Sequence, residues 1–595
     1  MAAAFEVWAP RAGEVAVVLG DRRLAMDGPD TDGWFRAEAP EGADVDVDYS
    51  FSLDGGPPLP DPRSQWQPLG VHGPSRRVDH EAFTWTDDGW SVIPLAEAVV
   101  YELHVGTFSP EGTFDGAVAH LDHLVDLGIT AVEVMPVAEF PGGRGWGYDG
   151  VDLWAPHSAY GGPDGFKRLV DACHAAGLAV VLDVVYNHLG PDGNYLPQFG
   201  PYFTDRYSTP WGEAVNFDGP DSDPVRAFVV DNACMWVRDY HVDGLRLDAV
   251  HAIVDTSATP IVEEVAVAVH RLATRLRRPA WVIAESDLND PRVVREPDIG
   301  GWGCDAQWSD DFHHALHAVL AGERSGYYRD FGSLAQLGKA LRQAYVYDGC
   351  RSEHRRRRHG RPPTGVPLSR FFGFLQNHDQ VGNRAGGERS TALMGPGRLK
   401  IAAALVLCSP FVPMLFQGEE WGASTPFQYF TDHGDEELGR AVSEGRRREF
   451  SAFGWDPADV PDPQDEQTFL RSKLDWDEPG RSPHAELLAW HRDLIRLRHD
   501  VPALAGGVEG VSGVDVRWDE DARWLVVERG PVSGVCNLGE AEQAVPLGEG
   551  QGPSGPLSGR QGPSGPLSGR QGPGALDSAA AGLLTDDGPA VVVLG

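Results

Sequence analysis

Four short segments of the chain each deliver a carboxylate at the end of an apolar run: LAVVLDVVYNH (178–188), VDGLRLDAVHA (242–252), AWVIAES (280–286) and FFGFLQNHDQVGNR (371–384). The acids are Asp183, Asp248, Glu285 and Asp379. Cleaving a glycosidic bond with retention needs a nucleophilic carboxylate and a carboxylic acid about 5 Å from it. Arg246 stands two residues before Asp248, so along a strand both side chains leave on one side. The guanidinium there would keep the aspartate ionised, as a nucleophile requires. Glu285 closes an apolar run, where burial would raise its pKa and let it give up a proton. Asp379 sits beside His378, placed to hydrogen-bond sugar hydroxyls. His188 and His378 are candidate donors to the same ring, and Tyr148, in GRGWGYDG, offers a flat face for stacking. A strand-end aspartate standing alone is equally explained by a helix cap or an ion pair. Asp183 fits that description best, as a buried brace for Arg246 or a cap.

Acids so far apart in sequence meet only if the chain returns repeatedly to one place. From about residue 98 apolar strands alternate with helix-like stretches: VVYELHV, a helix near 116–127, TAVEVMPV, a helix near 164–176, LAVVLDVV, a helix near 225–240, GLRLDAV, a helix near 258–277, AWVIAES, DAQWSD, a helix, FFGFLQ, a helix over 397–408, VPMLF, and a helix near 484–499. In the last helix Ser482 can cap, Pro483 fits the first turn, and Leu487, Trp490, Leu494 and Leu497 form one stripe. Eight such units predict an α/β fold, a (β/α)8 TIM barrel over 93–503, whose site lies at the strand C-termini where all four acids fall. A loop subdomain over 187–224, rich in aromatics and glycine, would cover it. Residues 1–92 read as an N-terminal immunoglobulin-like β-sandwich: Val45, Val47, Tyr49, Phe51 and Leu53 alternate onto one face and Asp54-Gly55 supplies a turn. Residues 504–595 return to short strands, a C-terminal β domain interrupted by a Gly/Pro/Ser-rich repeat loop over 551–574, in which QGPSGPLSGR occurs twice.

Composition narrows the function classes. The 595 residues are enough for roughly two to four domains. With 42% hydrophobic and 9% aromatic residues, a large core is available and global disorder is excluded. A formal charge of −38 disfavours nucleic acid and anionic membranes as partners and suits a neutral substrate. The basic run His354 to His359 runs against that charge; it reads as a solvated loop or as one lying against the acidic site. No run of about 18 apolar residues indicates a membrane span, and the start lacks the pattern of a signal peptide. Six scattered cysteines without CxxC spacing argue for reduced thiols in a cytosolic protein and against a disulfide frame or a zinc site.

The four acid-bearing segments resemble the four signature regions of the alpha-amylase superfamily (glycoside hydrolase family thirteen). That resemblance implies Asp248 as nucleophile, Glu285 as general acid/base and Asp379 as transition-state stabiliser. It implies that Arg246, His188, His378 and Tyr148 line the subsite of the cleaved glucosyl residue, and that Leu247, Ala249, Val250, His251, Gln380 and Asn383, in the same segments, bind substrate with them. A finer resemblance is to the maltooligosyltrehalose trehalohydrolases. It rests on VVYELHVGTFSPEGTF (99–114), DVVYNHLGPDGNYL (183–196), STPWGEAVNFDG (208–219), WSDDFHHALH (308–317), PFQYFTDH (426–433) and PDPRS (60–64). It implies an endo-acting hydrolase that cuts the α-1,4 bond next to a terminal trehalose, coupled in function to an enzyme that forms maltooligosyltrehalose. By it, Trp211, Glu213, Asp310, Asp311, Phe312, His313 and His314 shape the subsites beyond the scissile bond. Loop packing for Trp211 and an ordinary helix start for His313 and His314 are the alternatives. Many amylases use the Asn of DVVYNH as a calcium ligand, which makes Asn187 a candidate. The acids after it (Asp192, Asp205, Asp218, Asp221, Asp223) show no ligand spacing, so no metal and no cofactor is expected. The rivals are a glycogen-branching or debranching enzyme and, of another class, a non-catalytic α-glucan-binding protein.

Overall fold

The structure is a computed structural model, describing residues 4–40, 47–209, 211–451, 460–505, 514–530, 532–539, 544–545, 581–584 and 591–594. Eight parallel strands close into a barrel: β1 Val100–Leu103, β2 Ala131–Val134, β3 Ala179–Val184, β4 Gly244–Leu247, β5 Trp281–Ala284, β6 Ala306–Trp308, β7 Phe371–Gly373 and β8 Val412–Phe416. Each pairs with its sequence neighbour, and β8 closes on β1 through Phe416 opposite Glu102. Every residue of these strands is buried, as parallel strands covered on both faces require.

Alternation along the strands sorts their side chains. Val100, Ala131, Ala179, Val181, Trp281, Ile283, Trp308, Phe372 and Met414 pack together inside the barrel. Tyr101, Val132, Val180, Leu182, Leu245, Leu247 and Val282 belong to the larger core shared with the helices. The period of two therefore puts Glu102, Glu133, Asp183 and Arg246 on the inner row, one step above the apolar filling. Asp248 and Glu285 continue the same rows just past the ends of β4 and β5.

The helices fall close to the periodic stretches: Gly162–Ala175, Ser222–Asp239, Ile261–Leu276, Asp310–Leu320, Pro396–Leu407 and His484–Asp500. The stretch near 116–127 is split into two helices, Phe114–Val118 and Leu121–Leu127. Between β5 and β6 there is only a 3-10 turn, Pro297–Ile299, and no α-helix. The segment carries Pro291, Pro297, Gly300, Gly301 and Gly303, which disfavour a helix interior. In the last helix Ser482 does not cap; its hydroxyl donates to Glu486 at 2.9 Å. The stripe of Leu487, Trp490, Leu494 and Leu497 is buried.

Before the barrel lie two antiparallel sheets. Ala4–Trp8 pairs with Trp34–Glu38; the other sheet has the order Arg22–Ala25, Val15–Leu19, Asp48–Leu53, Ser75–Arg76. Tyr49 and Phe51 are buried, Asp54 and Gly55 turn with positive φ as expected, and Val45 lies outside the described residues. Trp8 packs edge-on to Tyr202 and Phe51 to Phe199, so this part leans on the segment after β3. That segment holds a short helix, Leu196–Phe199, and a hairpin, Phe203–Thr209 with Gly212–Val215. After the barrel a five-stranded sheet runs Val514–Asp519, Trp524–Arg529, Val532–Asn537, Val591–Leu594, Ala581–Leu584. The 551–574 repeat lies outside the described residues. All six cysteines are unpaired. Among the described residues no helix is long and apolar enough to cross a membrane.

Candidate active site

Arg246 is the hub of the barrel mouth. In register it stands opposite Asp183 across the β3–β4 pair. Its Nη1 donates to Asp183 Oδ2 at 2.6 Å, to Asp248 Oδ1 at 2.9 Å and to the Tyr148 hydroxyl at 3.3 Å, while Nη2 donates to Glu285 Oε2 at 2.8 Å. The guanidinium lies 4.2 Å from the Trp308 ring centroid, so a flat aromatic face supports it from below. Asp183 takes the bracing arrangement; it caps no helix. The other oxygen of Asp248 accepts from Asn187 Nδ2 at 2.7 Å. Glu285 Oε2 also accepts the Ala249 amide at 2.8 Å, an amide presented by the left-handed backbone of Ala249 (φ 39°). The two acids keep 10% and 14% of their side-chain surface exposed, against 1% for Asp183, so they and not Asp183 face the opening.

The wall beside this hub comes from β1, β7 and the loop after β2. Asn377 caps the short helix His378–Gly382, with Gln380 completing the capping box. The cap fixes His378 and Asp379 at the helix start. His378 Nε2 lies 2.8 Å from the Tyr148 hydroxyl and 3.6 Å from Asp379 Oδ1, and Tyr148 donates to Asp183 at 2.6 Å. On the other side of the ring Nδ1 donates to Glu102, whose second oxygen accepts the His378 amide at 3.0 Å. Asp379 is 38% exposed and accepts from Asn383 Nδ2 at 3.1 Å. His188 donates through Nε2 to the Tyr148 carbonyl at 2.9 Å, and Trp211 stacks on its ring at 4.2 Å and 5°.

One cation serves three carboxylates here, and the shifts follow. Burial opposes the charge of Arg246, but Asp183, Glu285 and Asp248 around it raise its pKa well above the usual value. Burial pushes Asp183 up to about 7, because Arg246 is shared and Asp248 repels it. Burial also pushes Glu133 well above the carboxylate range, with Glu102 opposite it adding to the effect. Burial would lower His378, but Glu102 and then Asp379 outweigh it and lift the ring to about 9.

Not every sequence candidate reaches this opening. Leu247 points outward into the barrel–helix core, because it alternates with Arg246 and Asp248. Phe312 and Val250 are buried in that core too. Asp311 is buried and accepts the amides of Val346 (2.7 Å) and Tyr347 (2.8 Å) and Asn289 Nδ2 (2.8 Å); it anchors the segment 346–364. His313 is held between the Leu375 carbonyl (2.6 Å) and Tyr328 (2.8 Å). These residues support the site from behind. Burial pushes His314 down to about 3; its ring packs against Tyr327 and Phe331. Asp310 lies partly buried at the start of the same helix, its pKa raised by burial and then by Glu285 and Asp287. His251 accepts the Asp287 amide at 3.3 Å. Glu213 is exposed on the hairpin, with no side-chain bond to the hub. The basic run forms the hairpin Asp348–Ser352 with Arg357–Gly360, and Arg355 pairs with Asp287, two residues past Glu285. It therefore lies against the acidic site through Arg355, while Arg356, Arg357 and Arg358 are partly or largely solvated.

Three members of the arrangement were not singled out from the sequence: Glu102, Glu133 and Trp308. All sit inside barrel strands, buried on both faces, where alternation separates two rows but does not say which one faces inward. Asn187 bonds Asp248, and no group of three or more His, Cys, Asp or Glu side chains among the described residues is placed to hold a metal. A buried arginine fixing two partly open carboxylates, with hydrogen-bond donors and aromatic faces around them, suits acid–base and nucleophilic chemistry on a neutral polyol.

The family model described as the alpha-amylase catalytic domain matches residues 77–201. The malto-oligosyltrehalose trehalohydrolase of Arthrobacter ramosus is 53% identical over 545 residues, 91% of this chain and 94% of that protein. The one from Mycobacterium tuberculosis is 50% identical over 549 residues, again 91% and 94%. A 1,4-alpha-glucan branching enzyme of Mycobacterium bovis is 30% identical over 362 residues, covering 52% of this chain and 47% of its own. Among solved structures, a putative alpha amylase from Salmonella typhimurium superposes with a TM-score of 0.85 at 40% identity, covering 92% of this chain and 93% of the other.

Proposed function

The chain belongs to the malto-oligosyltrehalose trehalohydrolase family, within the alpha-amylase superfamily, and on that premise we propose how its barrel mouth cuts the α-1,4 bond beside a terminal trehalose. The reaction is a retaining hydrolysis that releases trehalose and a maltooligosaccharide. Asp248 attacks the anomeric carbon while Glu285 protonates the departing oxygen of the trehalose unit. Glu285 then takes a proton from water, which opens the glycosyl–Asp248 ester. Asp379 hydrogen-bonds the distorted ring, and Tyr148, His188 and His378 surround it. The branching and debranching reading and the non-catalytic reading fall to the likeness with trehalohydrolases over nine-tenths of the chain.

The observation that carries this mechanism is the shared guanidinium. Asp248 and Glu285 are bonded to the two terminal nitrogens of one side chain, at 2.9 and 2.8 Å. Such a fork supports the short carboxyl separation of direct attack, about 5 Å, over the gap of roughly 6.5–9.5 Å that an interposed water needs. Trp211 and His314 supply faces for the trehalose side. A cytosolic location, supported by six unpaired cysteines, and a partner enzyme that makes the maltooligosyltrehalose complete the reading.

The test is a pair of digests at equal chain length. Incubation with maltooligosyltrehalose should release free trehalose, and plain maltooligosaccharide should stay largely intact. New α-1,6 branches, or equal cleavage of both substrates, would overturn the assignment.

A further inference from the structure

We propose that Glu102 is a positioning residue of this site: by gripping His378 at both its amide and its Nδ1, it keeps the ring doubly protonated and its Nε2–H on the Tyr148 hydroxyl, which holds both side chains in place at the wall of the glycosyl subsite. The inference rests on the function proposed above.

Hydrogen-bond counting carries it. Glu102 lies in the middle of β1, 1% exposed, and faces the barrel interior. Both of its oxygens are spent on His378, one on the backbone amide and one on Nδ1. A carboxylate only accepts, so Nδ1 carries a proton. On the far edge of the ring, Nε2 meets the Tyr148 hydroxyl at 2.8 Å. The single proton of Tyr148 is committed to Asp183, 2.6 Å away: Asp183 Oδ2 already accepts Arg246 at 2.6 Å, and a proton on that acid belongs on Oδ1, which has no partner among the described residues. Tyr148 therefore accepts from Nε2, which must carry a proton too. A chain of directed bonds thus runs from Arg246 and Tyr148 on Asp183, through His378, to Glu102 on the opposite wall.

The charges around the ring agree with that count. Glu102 on β1 and Asp379 on the ring's own helix favour its protonation, and Arg246 on β4 opposes it. His104, just past β1, is held down to about 3 by burial and adds no charge at working pH. Glu133 on β2, opposite Glu102, is held neutral by burial and has neither oxygen bonded. Tyr148, from the loop after β2, stays neutral because burial lifts it well above its usual value. Asp183 on β3 reaches the ring through the Tyr148 hydroxyl. Among the described residues Glu102 is the one carboxylate in direct contact with Nδ1. Without its charge, burial and Arg246 would return the ring to its neutral form near neutral pH, since losing an opposite charge at this range moves a pKa by roughly one to three units. A neutral ring carries one proton and can no longer serve both edges.

Glu102→Gln keeps the shape and removes the charge. The experiment compares kcat/KM for maltooligosyltrehalose in the unaltered enzyme and in E102Q across pH 5 to 8.5. pH effects common to both enzymes cancel in the ratio. The ratio should climb with pH, approaching tenfold per unit above the lowered ring pKa, for a rise of roughly 3- to 250-fold by pH 8.5. Glu102→Asp, which keeps the charge at shorter reach, should show a smaller loss and a level ratio. A level ratio in E102Q, however large the uniform loss, would overturn the proposal in favour of simple packing. If E102Q does not fold, 13C NMR of the unaltered protein labelled at histidine Cε1 decides the matter, the His378 signal being assigned by its disappearance in H378Q. A doubly protonated ring through pH 8 supports the proposal, and a neutral ring at pH 7 overturns it. Unaltered enzyme that releases no trehalose would refute the function instead, and the NMR titration would still judge Glu102.

Discussion

Arg246→Lys is the sharpest perturbation of the hub, because it preserves the charge and removes the fork. The guanidinium reaches Asp183 and Asp248 from Nη1 and Glu285 from Nη2, at 2.6, 2.9 and 2.8 Å, while resting 4.2 Å from the Trp308 ring centroid. A lysine ammonium is a single point on a flexible stem. It can stay near Asp183, but it cannot hold Asp248 and Glu285 in their present positions at once, and it gives up the planar stack. The change therefore forfeits about two charge-assisted hydrogen bonds, each worth about 1.5–3 kcal/mol, or about 3–6 kcal/mol in all. Both lost bonds orient groups that must meet the anomeric centre in register, so the deficit should appear in the transition state. At 1.4 kcal/mol per factor of ten, kcat/KM should fall roughly 10²- to 10⁴-fold. The assay is trehalose release from maltooligosyltrehalose under kcat/KM conditions, with circular dichroism to confirm that the barrel is intact. Stability is a poor substitute, since a chain of several packed parts need not unfold in one step. An R246K enzyme within tenfold of the unaltered protein would refute the idea that the shared fork sets the geometry of the two acids.

Other consequences are as direct. Glu285→Gln should cut hydrolysis by roughly 10²- to 10⁴-fold, while calorimetric affinity for maltooligosyltrehalose stays within a few-fold; unchanged hydrolysis would remove Glu285 from the proton-donor role. Trp211→Ala loses a stacked ring that is 49% exposed. KM should rise roughly two- to tenfold for a contact of about 0.5–1.5 kcal/mol, with little change in melting temperature; an unchanged KM would exclude sugar stacking there. Glu419, after β8, is pushed by burial from 4.5 up to about 8. In that window the folded protein binds more protons than the unfolded chain, so stability present at low pH is lost as pH rises through about 8. The melting temperature should drop less between pH 6 and 9 in Glu419→Gln than in the unaltered protein, and equal drops would refute the assignment.

The barrel was legible because each inner strand is a short, nearly uninterrupted apolar run closed by a polar residue, and the helices between carry their own period. Where that failed, chemistry explains it: Ser482 does not cap the last helix, because its hydroxyl donates to the Glu486 carboxylate. The fifth crossover, where the sequence offers no helical stretch, makes no α-helix because prolines and glycines break it. The acids were legible because they end strands. Glu102 was hidden because nothing in VVYELHV distinguishes a glutamate buried in the barrel from one on a solvated face until Phe416 and Glu133 are known to flank it. Leu247, Phe312 and His313 show the opposite error. Lying within a functional stretch does not place a side chain in the opening, since the strand's period of two, or the far side of a helix, sends alternate residues into the core.

The same alternation explains why the site is a single electrostatic unit. Inner-row positions on adjacent strands of a parallel barrel lie side by side, so a carboxylate on one strand meets whatever its neighbour carries at that level. Asp183 meets Arg246 across β3–β4, and Glu102 meets Glu133 across β1–β2. One guanidinium is shared by Asp183, Asp248 and Glu285, with Asp183 pushed up to about 7 by burial and Glu285 holding the proton it donates. The His378 ring supplies the second positive group, and it does so only while Glu102 stands behind it. A cleft so arranged is ready for the positive charge that develops on the sugar ring as the glycosidic bond breaks. Selectivity for the trehalose end must then come from elsewhere, because the inner row touches only the ring being cleaved. The Trp211 hairpin and the arginine hairpin pinned by Asp287 are the elements at the mouth on which that choice can act.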